Sequence, residues 1–192
     1  MKKFIEVTSI AIPLPMKDVD TDMIIPAQYL TQISKTGYGK NVFSRLKATD
    51  KDFPFNLPKY KDSEILISGS NFGCGSSREH AVWALQQAGI NVIIASSYSD
   101  IFAGNASKNG LLLISLDETI IDQFCNIAEN EGLIITVNLE DQTVFCKNTN
   151  SIHYFDYDPF RKQCLLNGQD DMDFLLAHTS EIAAFKEKQI SF

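Results

Sequence analysis

The chain has 192 residues, a formal net charge of −7, and a makeup that is 44% hydrophobic and 21% charged, which is ordinary for one globular domain with a sizeable core. That acidic balance disfavours nucleic acid as a partner, and no apolar run reaches the roughly 20 residues needed to cross a bilayer. Cys74, Cys125, Cys146 and Cys164 lie far apart, so no C-x-x-C pair offers zinc or iron–sulfur spacing and no metal is expected on this chain.

The N-terminal MKKFIEVTSIAIPLPMKDVD lacks a small-residue cleavage site and carries Glu6 and two prolines, so it does not read as a signal peptide; a cytoplasmic chain is expected. Phe4 to Ala11 is rich in Ile, Val and Thr and predicts a strand, after which Pro13 and Pro15 force an extended entry into MKDVDTDMIIPAQYL. Asp18, Asp20 and Asp22 alternate without the Gly and Glu of a calcium loop, so they read as turn caps that orient the loop, with indirect support of the active site as the alternative. From Thr31 to Pro58, Gly37, Gly39, Pro54 and Pro58 predict a long irregular and mobile loop of functional use.

Glu64 to Ser68 predicts a buried strand, and the stretch GSNFGCGSSREHAVWAL from Gly69 to Leu85 follows it. A helix from that loop to about Gln87, Gly89 just past its end, and a strand at Asn91 to Ala95 complete a strand–loop–helix–strand unit. A helix over Tyr98 to Asn109, a strand at Leu111 to Ser115, and a helix capped by Asp117 follow. Leu133 to Leu139, Thr143 to Lys147 and Ile152 to Tyr157 predict an antiparallel meander, and helices are expected over Phe160 to Asn167 and Asp171 to Lys188. Crossovers followed by a meander predict a layered α/β domain.

The Gly69 to Leu85 stretch has two readings. In one, Gly73 and Gly75 make a turn and Ser76-Ser77-Arg78-Glu79 is a capping box, with Ser76 as N-cap and Glu79 reaching back. In the other, the free N–H groups at the helix start, the two glycines and the Arg78 fork bind a carboxylate or phosphate. The serine hydroxyls would then sit in a positive field that favours the alkoxide, the form in which a serine acts as a base. Neither the Walker A nor the G-x-G-x-x-G pattern is met, and a Cys74 nucleophile lacks a third group to orient His80.

N-F-G-C-G-S-S-R-E-H (Asn71 to His80), D-V-D-T-D-M-I-I-P (Asp18 to Pro26), I-F-A-G-N-A-S-K-N-G-L-L (Ile101 to Leu112) and D-P-F-R-K-Q-C-L-L-N-G (Asp158 to Gly168) occur in this order. Together they resemble the small subunits of isopropylmalate dehydratases, the separate-chain form of the aconitase swivelling domain. The resemblance spans nearly the whole chain. It implies a three-layer β/β/α swivelling domain over 1–192, with a C-terminal helical extension from about 159 to 192. It also implies a large partner subunit carrying a [4Fe–4S] cluster whose iron takes the hydroxyl, and a hydro-lyase activity that converts 2-isopropylmalate to 3-isopropylmalate through isopropylmaleate in leucine biosynthesis. Ser76 matches the base, and Ser77 and Arg78 match the groups that bind the substrate carboxylate, with Gly73 and Gly75 shaping the anion loop. Leu30 and Thr31 fall where the family selects the substrate side chain and suit a small branched apolar group. Methylmalate or dimethylmalate as substrate, and a non-catalytic anion-binding module, are the alternatives that the sequence leaves open.

Overall fold

The computed structural model describes residues 1–30 and 35–188. Its strands are β1 (Glu6–Leu14), β2 (Ile65–Ser68), β3 (Val92–Ala95), β4 (Leu112–Ser115), β5 (Ile134–Asn138), β6 (Thr143–Cys146) and β7 (Ser151–Tyr154). They form one curled sheet in the order β4-β3-β2-β1-β5-β6-β7, parallel from β4 to β1 and antiparallel from β1 to β7. The parallel strands are joined by α3 (Glu79–Gln87) and α4 (Asp100–Asn109), and α5 (Glu118–Asn130) leads from β4 to β5. This is the expected three-layer α/β arrangement.

The two faces of the parallel half follow from side-chain alternation. Ile12, Leu14, Leu66 and Ile93 join a core with Ala81, Val82 and Leu85 of α3 and Phe102 and Ala106 of α4. Ala11, Ile65, Ile67, Val92 and Ile94 face the other way, against Ile121, Phe124, Cys125 and Ala128 of α5 and the inner residues of the meander, Ile135, Val137 and Val144. The α5 positions recur at helical spacing, which is why that helix lies flat on the sheet. Ile65, Leu66 and Ile67 are wholly buried, each stabilising the fold by roughly 1.5–3 kcal/mol.

Three expectations are corrected. β1 does not stop before Pro13 but runs through it to Leu14. Ala11 N–H donates to Leu133 on the β5 side, and Pro13 faces the same side two residues on, past the end of β5 pairing at Ile10, so no ladder bond is lost there. The irregular run expected from 31 to 58 is, over 35–58, a packed series of short turns around α2 (Ser44–Thr49), after α1 (Thr21–Ile24). Tyr38, Val42, Phe43 and Phe53 are buried there; Phe53 stacks on Phe55, and Phe43 packs edge-on to Phe53 and tilted against Phe55. The single helix expected from Asp171 to Lys188 is two, α7 (Asp171–Ala177) and α8 (Thr179–Lys188). At the break, Thr179 Oγ1 donates to the Leu176 carbonyl (2.6 Å), competing with the helical amides for it.

Between the meander and α7 lies α6 (Pro159–Asn167), capped by the Asp158 carboxylate and closed by Gly168 in the left-handed region. It buries Cys164 and Leu165, and the Phe4 N–H donates to the Leu165 carbonyl, tying the helix to the N-terminus. By contrast, α7 and α8 bury no residue.

Candidate active site

Parallel strands deliver their C-terminal ends to one edge of the sheet, and that edge is where open α/β sheets place ligands. Here the segments after β1, β2 and β3 meet, with the glycine loop in the middle. On one flank the Gly73 N–H donates to Val19 (2.7 Å) and the Thr21 N–H donates to Cys74 (3.0 Å). On the other, the Phe72 N–H donates to Ser97 (3.0 Å), while Ser99 Oγ donates to the Gly73 carbonyl (2.7 Å).

Two glycines make this path possible. Gly73 has φ of 76° and packs so closely on Phe102 that a Cβ would lie 2.2 Å from the ring. Gly75 has φ of 87° and turns the chain over Asp20.

The helix after the loop begins later than its capping signature predicts. α3 starts at Glu79 with Arg78 as N-cap, in extended conformation and with no side-chain cap. Ser76 is therefore not the N-cap, and Glu79 is the first helical residue rather than the third. The reason is tertiary: Thr21 Oγ1 donates to the Ser76 carbonyl (2.9 Å) and Arg78 N–H donates to the same atom (2.8 Å), a tight turn that helical geometry cannot accommodate. Glu79 instead accepts from Asn109 Nδ2 (2.7 Å), whose Oδ1 accepts from Trp83 Nε1 (2.9 Å). Asn109 thus locks α3 to the end of α4.

This frees what the anion-binding reading needs. Gly75, Ser76 and Ser77 are exposed, and among the described residues neither serine hydroxyl is hydrogen-bonded. The first amides of α3 have no side-chain acceptor and carry the positive end of the helix.

Beside them, Arg78 is held by Asp22, one of the three alternating aspartates. Asp22 Oδ1 accepts from Arg78 Nη1 (2.7 Å) and from the Ala27 N–H (3.0 Å), and Oδ2 accepts from Arg45 Nη1 (2.7 Å). The Arg78 hydrogen bond foremost, and then the Ala27 amide, hold the Asp22 carboxyl below the usual carboxylate range. Only Nη1 of Arg78 is engaged among the described residues, which leaves the rest of its planar fork for a ligand. The alternating aspartates each have a structural partner: Asp18 accepts from Asn71 Nδ2 (2.7 Å) and Asp20 caps α1 at the Met23 N–H (2.6 Å).

The remaining candidates separate. Leu30 is half-buried against the core, ending the turn that begins at Ala27 and is tied to Asp22, which brings it into the same neighbourhood by chain connectivity. Thr31 lies outside the described residues. Burial, with the carboxylates of Asp20 and Asp18, pushes the Cys74 thiol up rather than down, opposite to an activated nucleophile. His80 packs edge-on to Tyr38 and Trp83.

A curled sheet with a site loop at the parallel edge defines a class, and residues 1–119 match the family model described as the aconitase C-terminal domain; the chain belongs to that family. At finer grain it is similar to curated proteins named 3-isopropylmalate dehydratase small subunit. It is 58% identical over 189 residues to that of Francisella tularensis subsp. novicida, covering 98% of this chain and 99% of the relative. It is 47% identical over 195 residues to that of Paramagnetospirillum magneticum, covering 98% and 96%. The crystal structure of a 3-isopropylmalate dehydratase from Methanocaldococcus jannaschii superposes with a TM-score of 0.69 at 26% identity, over 93% of this chain and 98% of that one.

Proposed function

We propose that this chain is the small subunit of a 3-isopropylmalate dehydratase, a cytoplasmic hydro-lyase that works only with a larger partner. The observation that carries the reading is the 58% identity over 98% of the chain to small subunits of that name, joined to a loop that leaves the Ser76 hydroxyl unbonded and Arg78 pre-positioned. Among the described residues no helix is long and apolar enough to cross a membrane.

In this reading Ser76 removes the proton from the carbon next to a substrate carboxylate. Ser77, Arg78 and the uncapped amides of α3 hold that carboxylate, where negative charge grows as the carbon–hydrogen bond breaks. Loss of the hydroxyl from the adjacent carbon releases water and leaves isopropylmaleate; water then adds with the opposite placement of hydrogen and hydroxyl to give 3-isopropylmalate. Asp22 positions Arg78, Thr21 positions the Ser76 backbone, Gly73 lets the loop close on Phe102, and exposed Gly75 admits the ligand to the loop. Leu30 and Thr31 take the branched side chain.

The chain's own cysteines do not suit an iron–sulfur cluster. Cys125, Cys146 and Cys164 are buried and Cys74 is half-buried, and among the described residues no group of three or more His, Cys, Asp or Glu could hold a metal ion. The [4Fe–4S] cluster belongs, in this reading, to the larger partner, and the part played by this chain is binding and proton transfer. The exposure of Gly75, Ser76 and Ser77 supports the same division, because carboxylate activation needs water excluded by a second surface.

The test is to purify the chain alone and with its cluster-bearing partner, then follow the absorbance of the unsaturated intermediate from 2-isopropylmalate, 2-methylmalate and citrate. The pair is expected to act on 2-isopropylmalate with the highest kcat/KM. Activity of the isolated chain, none from the pair, or a preference for methylmalate would overturn the assignment.

A further inference from the structure

A cavity of about 510 Å³ opens between the 39–63 segment and the C-terminal end of α3, and none of its lining residues belongs to 18–22 or 69–80. Ile12, Val42, Phe55, Leu57 and Tyr60 give it an apolar wall, while Lys40, Lys47 and Lys61 line it without a single carboxylate. That concentration is unusual for this protein: residues 35–61 carry seven Lys or Arg against two Asp, in a chain of net charge −7.

Lys47, half-buried, donates its ammonium to the Lys40 carbonyl (3.1 Å). Among the described residues none of the three pairs with an acid. Ser63, on the same lining and 3% exposed, has a hydroxyl with no hydrogen-bond partner. Burying the Lys47 ammonium and leaving the Ser63 hydroxyl unpaired both cost free energy, and an anion in the cavity offsets that cost at Lys47. The volume suits a small organic molecule, and the apolar wall suits a hydrocarbon body better than a bare inorganic ion, which would leave that wall uncovered.

We propose that this cavity is a binding site for a small organic carboxylate with an apolar body, the carboxylate held by Lys47 with Lys40 and Lys61 and the body lying on Ile12, Val42, Phe55 and Leu57. The test uses the full chain alone, so its outcome is independent of the dehydratase assignment. The isotope-labelled chain is titrated with 4-methylpentanoate, with 4-methyl-1-pentanol and with inorganic phosphate, and amide shifts are followed by NMR. The carboxylate is expected to saturate with shifts confined to Ile12, 39–63 and 87–88, and to bind at least about tenfold more tightly than the alcohol. Lys47→Met, which keeps the apolar stem, is expected to weaken it about tenfold, and Lys61→Gln about threefold. Because Lys61 is exposed, Lys61→Gln decides the matter if Lys47→Met fails to fold. Absence of saturation, equal binding of the alcohol, phosphate binding as tightly at the same residues, or indifference to these substitutions would each overturn the proposal.

Discussion

Replacing Asp22 with Asn tests the support of the site without touching a serine. The change keeps size and one acceptor but removes the charge that faces two guanidinium groups. The Arg45 side chain is 62% exposed, so its pair with Asp22 contributes under about 1 kcal/mol. Arg78 is 24% exposed and Asp22 33%, which puts their charge-assisted bond at about 1–2 kcal/mol after solvent screening. Asp22→Asn is therefore expected to lower stability by about 1–2 kcal/mol and, by releasing the Arg78 fork, to raise KM about tenfold, with a smaller loss in kcat.

The pH dependence follows from the depressed Asp22 carboxyl. A carboxyl whose folded pKa lies below its unfolded value of about 4 stabilises fully above that pH, and the contribution is lost as pH falls through the folded value. The stability gap between wild type and variant is thus constant from about pH 5 to 8 and closes in acid below about pH 4. Thermal melts across pH 3–7 and steady-state kinetics of the reconstituted pair read both effects. An Asp22→Asn protein with unchanged KM and melting temperature would refute the view that Asp22 holds Arg78 in place.

Ser76→Ala is expected to abolish turnover by the pair yet shift stability by less than about 0.5 kcal/mol, since its hydroxyl caps nothing; a loss of 1 kcal/mol or more in chemical denaturation would restore the capping role. Thr21→Val removes the donor to the Ser76 carbonyl at nearly constant volume, and kcat is expected to fall about tenfold with KM nearly unchanged and stability down by about 1 kcal/mol. Equal kcat for the two proteins would show that this anchor does not position the base. Gly73→Ala forces a Cβ into Phe102 at positive φ and should cost more than about 2 kcal/mol, recovered only in part by adding Phe102→Leu, because the backbone strain remains.

Much of this architecture was legible in the chain itself. Apolar runs at Ile65–Ser68 and Val92–Ala95 mark the central strands because both faces are covered, and Gly89, Gly110 and Gly168 mark helix ends because each adopts the left-handed conformation there. What escaped was set by partners distant in sequence. Ser76-Ser77-Arg78-Glu79 has the grammar of a capping box, but a hydroxyl 55 residues earlier, on Thr21, takes the Ser76 carbonyl out of the helix. Asp22 reads locally as one of three alternating acids, whereas its bond to Arg78 spans 56 residues and is visible only once α1 and α3 are adjacent. The 35–58 stretch looks irregular because its glycines and prolines break periodicity, while its aromatic residues pack into the core all the same. The family resemblance points to the loop from Gly69 to Leu85. It does not say which atoms hold it.

β1 changes partners along its length, pairing with β5 over Glu6–Ile10 and with β2 over Ala11–Leu14. Ser76 and its anchors depend on the second half of that strand, and the meander hangs from the first. The two halves are therefore mechanically separable: a change at the exposed tip between β6 and β7 acts on the Glu6–Ile10 half of β1 and leaves the pairing that carries the segments around Ser76 in place.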